Sequence, residues 1–318
     1  ILPSGYPQWH AMVTPLSQVG TGNGNPIAYK GYDGAFIGNF GSADQTNVKL
    51  KSSLTWTPTG GTAQSVRTDS FSFASFLQAD SILAVGIGNS YDLHPTTTGT
   101  YNMTYTLFMD NADDFGGDNV VSHAYQISDS IFSKGRYTFP DNGPVATIFY
   151  RAGQSGSNIG GNMFYVANGS GLKAKSGQYK IASDAGDLSA ESTFLMLFKW
   201  RDTVVVDSMV EVGELVLVGI NQKAYTTLDS TGDHFDLEFT SVANPADPVL
   251  LESNTWYYVA VEASPTAFIG YDGMTNFYPR TYLRHHASAT DQFSEFYTLN
   301  NVLDLSTLQT EQQNNPNS

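Results

Sequence analysis

Val210–Ile220 reads VEVGELVLVGI. Val210, Val212 and Glu214 fall on one side of an extended chain, whereas from Leu215 both sides are apolar. The stretch reads as a strand that enters a packed core, with a bulge or an entry point expected at Gly213-Glu214. Burial on both faces is the signature of a central strand, so this segment points to an all-β protein built of packed sheets.

Neighbouring segments carry the same pattern. Ile82–Ile87 (ILAVGI), Phe194–Phe198 (FLMLF) and Trp256–Val261 (WYYVAV) are apolar on both faces and bounded by Gly, Asn, Asp or Ser, so each reads as a central strand. Asp187 or Ser189 could instead cap a short helix through FLMLF; the strand is preferred. Two further segments alternate. In YNMTYTLFM, Tyr101, Met103, Tyr105, Leu107 and Met109 share one face; in HFDLEFT, Phe235, Leu237 and Phe239 point inward and His234, Asp236 and Glu238 outward.

Composition agrees. The chain has 318 residues, with 30 Gly, 19 Phe, 18 Tyr and only 14% charged residues, which suits many short strands joined by polar turns. Turn dipeptides recur, among them Asp33-Gly34, Gly60-Gly61, Gly116-Gly117, Asn142-Gly143 and Asp272-Gly273. Gly153–Gly161 (GQSGSNIGG) has no Lys-Ser/Thr after it and no helix to aim at phosphate, so it reads as a surface loop.

The predicted organisation is an antiparallel β-sandwich over 1–221, a smaller β domain over 222–304 and a flexible polar tail over 305–318. The division is placed at Asn221–Asp233 (NQKAYTTLDSTGD), where polar residues interrupt the strands. Ile82–Asn89 and Leu215–Asn221 share a Val-Gly-Ile core, so a duplicated sandwich is an alternative.

Charge and cysteine content exclude several functions. A formal charge of −15 and a pI near 4.5 argue against binding of phosphate backbones over a broad surface. With no cysteine, neither disulfides nor thiolate zinc sites are available. No apolar run approaches the roughly 20 residues that span a bilayer, and the first residues, ILPSGYPQWHAM, lack the basic-then-apolar order of a signal peptide.

No catalytic motif is visible: there is no G-x-S-x-G, Walker A loop or H-E-x-x-H. His285-His286 would point to opposite faces of a strand and so not share a metal. Asp236 and Glu238 lie about 7 Å apart on one wet strand face and read as solvated acids rather than a glycosidase pair. The acidic loop Asp110–Asp118 is different, since hard oxygen ligands on a turn could hold Ca²⁺; its candidates are Asp110, Asp113 and Asp114. Asn102-Met103-Thr104 and Asn168-Gly169-Ser170 match the glycosylation sequon.

Three stretches resemble the jelly-roll shell domains of small icosahedral viruses of the tombusvirus, sobemovirus and nodavirus type. They are Gly99–Asp114 (GTYNMTYTLFMDNADD), Ser176–Ala185 (SGQYKIASDA) and Val210–Val218, where Gly-Glu-Leu precedes an apolar run. The resemblance implies a jelly-roll shell followed by a projecting β domain, copies of the chain as partners in a symmetric assembly, a virion location, and interface calcium at Asp110, Asp113 and Asp114. The chain departs from that pattern in having no arginine-rich arm and in placing Val216-Leu217-Val218 where an aromatic Tyr-x-Val is usual.

A second resemblance is to concanavalin-A-like or laminin-G-like sandwiches. It is carried by Asn254–Val261 (NTWYYVAV) followed by Gly270-Tyr271-Asp272-Gly273. It implies a carbohydrate-binding module on a phage or cell-surface appendage, with a host-surface glycan or receptor as partner. The sequence thus leads to a non-enzymatic virion structural protein that self-assembles, with glycan binding as the alternative.

Overall fold

The computed structural model describes residues 2–3, 13–18, 30–31, 34–72, 81–87, 91–92, 97–113, 115–133, 135–138, 143–150, 158–201, 214–272, 281–285 and 294–298. These residues are all-β, with two short 3₁₀ turns and no α-helix. The chain forms two compact units, the first made of Ile1–Pro7 and Met12–Ile131, the second of Gln8–Ala11 and Phe132–Ser318.

Unit 1 contains β1 (Leu2–Pro3), β2 (Val13–Pro15), β3 (Lys30–Gly31), β4 (Gly34–Asn39), β5 (Lys49–Thr57), β6 (Gln64–Ser72), β7 (Ser81–Gly86), β8 (Tyr91–Asp92), β9 (Gly99–Phe108) and β10 (Val120–Ser128). Its five-stranded sheet has the order β2-β10-β9-β5-β6; β1-β4-β7 and β3-β8 form smaller sheets. The alternation in YNMTYTLFM is realised in β9. Tyr101, Met103, Tyr105 and Leu107 are buried, and they stand opposite Trp56, Leu54, Ser52 and Leu50 of β5. Tyr101 stacks on Tyr125 of β10 with ring centroids 5.3 Å apart. Burying each large apolar side chain of this face stabilises the sheet by about 1.5–3 kcal/mol. ILAVGI, expected at the centre of a sheet, forms β7, which among the described residues pairs with β4 alone, and its Ile82 and Leu83 are exposed.

Unit 2 contains β11 (Tyr137–Thr138), β12 (Gly143–Pro144), β13 (Ile148–Tyr150), β14 (Asn158–Val166), β15 (Lys173–Ala174), β16 (Ser176–Ser183), β17 (Ser192–Trp200), β18 (Leu215–Ala224), β19 (His234–Glu238), β20 (Thr240–Ser241), β21 (Val249–Leu250), β22 (Thr255–Ala263), β23 (Ala267–Tyr271), β24 (Thr281–His285) and β25 (Ser294–Thr298). Two sheets dominate, β13-β23-β16-β19 and β14-β22-β17-β18-β20. The pairing is nested and antiparallel throughout: β13 joins β23, β14 joins β22, β16 joins β19 and β17 joins β18. FLMLF and WYYVAV are central strands of the second sheet, as their patterns predict.

The two sheets share one core. Tyr179, Ile181, Phe235 and Ile269 of the first and Leu195, Val261 and Ala263 of the second belong to a single buried cluster. Thr193 Oγ1 lies 2.8 Å from Tyr179 Oη, and Gly177 is packed so closely by Leu195 that a Cβ there would meet Leu195 Cδ1 at 2.6 Å. Thr193 and Leu195 therefore face the first sheet, and the alternate residues Phe194, Met196, Phe198 and Trp200 face away from it.

Two sequence expectations are corrected here and a third is extended. A boundary at 221/222 would cut strand β18 in two and would separate β13 and β14 from their partners β23 and β22; the contacts divide the chain at 131/132 instead. Asn158–Gly161 of the glycine-rich segment is not loop but the start of β14, paired residue by residue with Ala260–Ala263. In VEVGELVLVGI the strand begins at Leu215, directly after the expected entry point, and a separate irregularity falls at Val218, because Leu197 pairs with Gly219 but Phe198 pairs with Leu217. Glu214 is a fully buried turn residue preceding β18; 210–213 lie outside the described residues, as does the tail 305–318. No helix among the described residues is long and apolar enough to cross a membrane.

Candidate functional site

The predicted calcium ligands are engaged locally. Asp110 Oδ2 accepts from Thr46 Oγ1 at 2.9 Å and from the Asn47 amide, while the Asp110 N–H donates to Thr46 O at 3.2 Å. Its carboxylate thus ties the end of β9 to the turn before β5. Asp113 turns back on its own loop, accepting from the Phe115 N–H at 2.9 Å and from Asn119 Nδ2 at 2.8 Å. Asp114 lies outside the described residues. Among the described residues no group of three or more His, Asp or Glu side chains is placed to hold a metal ion.

Asp236 and Glu238 are exposed on β19, as their alternation predicts, and Asp236 Oδ2 accepts from Gln178 Nε2 at 3.0 Å. His285 is the last residue of β24, and His286 lies outside the described residues.

The buried polar groups of unit 2 form networks that sequence reading missed. Glu191, 5% exposed, accepts from Ser183 Oγ at 3.1 Å, from Thr266 Oγ1 at 2.8 Å and from the Ser264 hydroxyl. A carboxylate removed from water is stable only when its lone pairs are met, and three hydroxyls from two segments, the end of β16 and the turn between β22 and β23, do so here. No motif reports this cage, since Ser183, Ser264 and Thr266 are distant in sequence from Glu191 or ordinary in type.

A second network joins the sheets. Thr193 Oγ1 lies 2.8 Å from Tyr179 Oη and 2.9 Å from Tyr225 Oη, and Tyr225 donates to Tyr179 at 3.3 Å. Burial pushes the Tyr225 phenol far above its ordinary value, with Tyr179 adding to the effect, and burial also raises Tyr179. Both stay neutral and act as hydrogen-bonding struts. Beside them, Lys223 Nζ sits 5.1 Å from the Tyr225 ring centre and 5.0 Å from that of Phe235, and it pairs with Asp229 at 3.1 Å. The bond from the Thr226 N–H holds the Asp229 carboxyl below its ordinary value, helped by Lys223.

The face of the five-stranded sheet turned away from the first sheet is rich in aromatics and largely covered, with Met163, Met196, Tyr258 and Ala260 buried on it. Tyr165, Phe194, Phe198, Trp200, Leu217 and Trp256 occupy it, all half-buried. Tyr165 and Trp256 lie 5.2 Å apart between ring centres, and Tyr165 donates to Asn254 Oδ1 at 3.1 Å. Trp200 Nε1 donates to the buried Glu214 carboxylate at 2.9 Å. The apolar runs FLMLF and WYYVAV signalled burial on both sides, as Leu195 and Val261 on one face and Met196 and Tyr258 on the other show.

Comparison of the chain with protein-family models, with curated proteins and with solved structures gives no match.

Proposed function

We propose that residues 148–271 form a jelly roll and that the chain is a non-enzymatic structural subunit of a virion, assembling with copies of itself through sheet edges and loops. The observation that carries this is the nested strand order. Of eight main strands, the first pairs with the last, β14 with β22, β16 with β19 and β17 with β18, distributed between two sheets that share a core. That wrapping is the one used by jelly rolls, an architecture that recurs in viral capsids and lectins. The step from fold to function is by analogy.

The buried Glu191, Tyr179 and Tyr225 are spent on internal hydrogen bonds, which supports a structural role over a catalytic one. The expected calcium ligands Asp110 and Asp113 belong to unit 1, so the jelly-roll reading of residues 148–271 does not depend on a metal there. With a formal charge of −15, this acidic stretch would not itself make the genome contact.

Carbohydrate binding is the second reading, favoured by the Tyr165–Trp256 pair beside Asn254, an arrangement able to stack on a sugar ring and hydrogen-bond its edge. Light scattering and negative-stain microscopy of the purified chain separate the two. Closed particles or defined oligomers are expected; a stable monomer that binds a glycan array would overturn the capsid reading in favour of the second.

A further inference from the structure

β6 ends the five-stranded sheet of unit 1, and among the described residues no strand pairs with its free edge. It is nine residues long; six of them are exposed and none is buried. A long, open edge of this kind presents a row of backbone N–H and C=O groups to any strand that approaches. Near its middle lie Arg67 and Asp69, joined by a 3.0 Å ion pair, with side chains 29% and 45% exposed. They stand opposite Leu54 and Ser52 of β5 and so share one face, with Thr68 between them on the other.

We infer that β6 is the contact for a second copy of this chain, which adds its own β6 antiparallel about a two-fold axis through Thr68. In an isologous pair each residue meets its symmetry mate at an equal distance from the axis. Centring on Thr68 puts Arg67 opposite Asp69 of the second copy and Asp69 opposite its Arg67, so the four charges alternate in a neutral ring. No other centre of symmetry pairs these two residues with each other. Charged residues on an edge resist an arbitrary partner strand, which would leave them facing unmatched groups, and here they select a single register. The register shift between Leu54 and Thr55 leaves Val66 as the bulged residue, outside the three central rungs.

This pairing rests on unit 1 alone and does not depend on the jelly-roll reading of unit 2. A dimer that forms no particles would leave the pairing standing and remove the capsid; particles whose assembly ignores the changes below would do the reverse.

Charge exchange in the full chain tests the register. Arg67→Asp places Asp against Asp across the axis, and Asp69→Arg places Arg against Arg, so each variant alone should lose about tenfold or more in self-association by sedimentation velocity. An equimolar mixture of the two restores both opposite-charge rungs and should recover the dimer. Ion pairs within one chain cannot produce that rescue. A wild-type monomer, a single variant that associates normally, or a mixture that stays monomeric overturns the proposal.

Cysteine cross-linking supplies an independent measurement, as the chain has no cysteine of its own. Residues opposite each other in an antiparallel pair have Cα atoms about 4.5–5.5 Å apart, within disulfide reach. Thr68→Cys should therefore give a disulfide-linked dimer on mild oxidation. Ser70→Cys should not, since its mate lies four residues along, roughly 13 Å away. Equal cross-linking of both variants, or none of either, overturns the register.

Discussion

Asp272 grips Arg136 at three points. Its Oδ2 accepts from the Arg136 backbone N–H at 2.8 Å and from Nε at 2.9 Å, and its Oδ1 accepts from Nη2 at 2.8 Å. Asp272 follows β23 and Arg136 precedes β11, so the bond clasps the beginning of unit 2 to a residue more than a hundred positions later. The Asp272 side chain is only 2% exposed, whereas that of Arg136 is 43% exposed.

Arg136→Lys is expected to destabilise unit 2 despite keeping the charge, because an ammonium cannot reproduce the two-pronged fork. A loss of about 1–2 kcal/mol should appear as a lower urea midpoint, with a larger loss of about 2–3 kcal/mol for Arg136→Ala. Equal midpoints for wild type and both variants would show that the clasp contributes nothing.

Thr193 is the hydroxyl shared by Tyr179 and Tyr225 in the core. Thr193→Val keeps the shape but removes the shared oxygen, and should cost about 1–3 kcal/mol; Thr193→Ser should recover most of it. Thermal unfolding of the two variants side by side makes the comparison.

Burial raises the phenols of Tyr179, Tyr225 and Tyr258. A folded-state pKa above the unfolded value, about 10 for tyrosine, gives stability that is fully present below that pH and declines as pH climbs beyond it. Absorbance near 295 nm should therefore show these tyrosines ionising together with the loss of β circular dichroism. Their titration in a still-folded protein would refute the assignment.

Asp110→Ala should lower stability by about 0.5–1.5 kcal/mol through the lost bonds to Thr46 and Asn47, by the same amount with calcium or with a chelator present. A loss seen only when calcium is supplied would instead make Asp110 a metal ligand.

Much of the local structure was legible in the residues. Tyr101, Met103, Tyr105 and Leu107 announce β9 because a strand's side chains alternate and one face must leave water. Phe194–Phe198 and Trp256–Val261 were identifiable as central strands for the related reason that apolar residues on both sides need cover on both sides. The candidate site was less legible. Asp110 and Asp113 were visible as an acidic cluster, but the donors that occupy them were not, and neither were the hydroxyls around Glu191, whose meeting depends on two segments far apart in the chain.

The sequence by itself determined the class of the protein: all-β, acidic, free of cysteine, with strands wherever the period of two or a doubly apolar run demanded them. Tertiary structure alone decided which strands are neighbours. Nothing local in Ile148 specifies Tyr271 as its partner, and the polar run after Asn221 resembles a linker although it leaves strand β18 to return by β19 into the opposite sheet. VEVGELVLVGI states the same division. Its residues called for a strand buried on both faces, and Leu215–Val218 are half-buried; the displacement of Val218 depends on the register of β17, which is set by packing between strands and not by the eleven residues themselves.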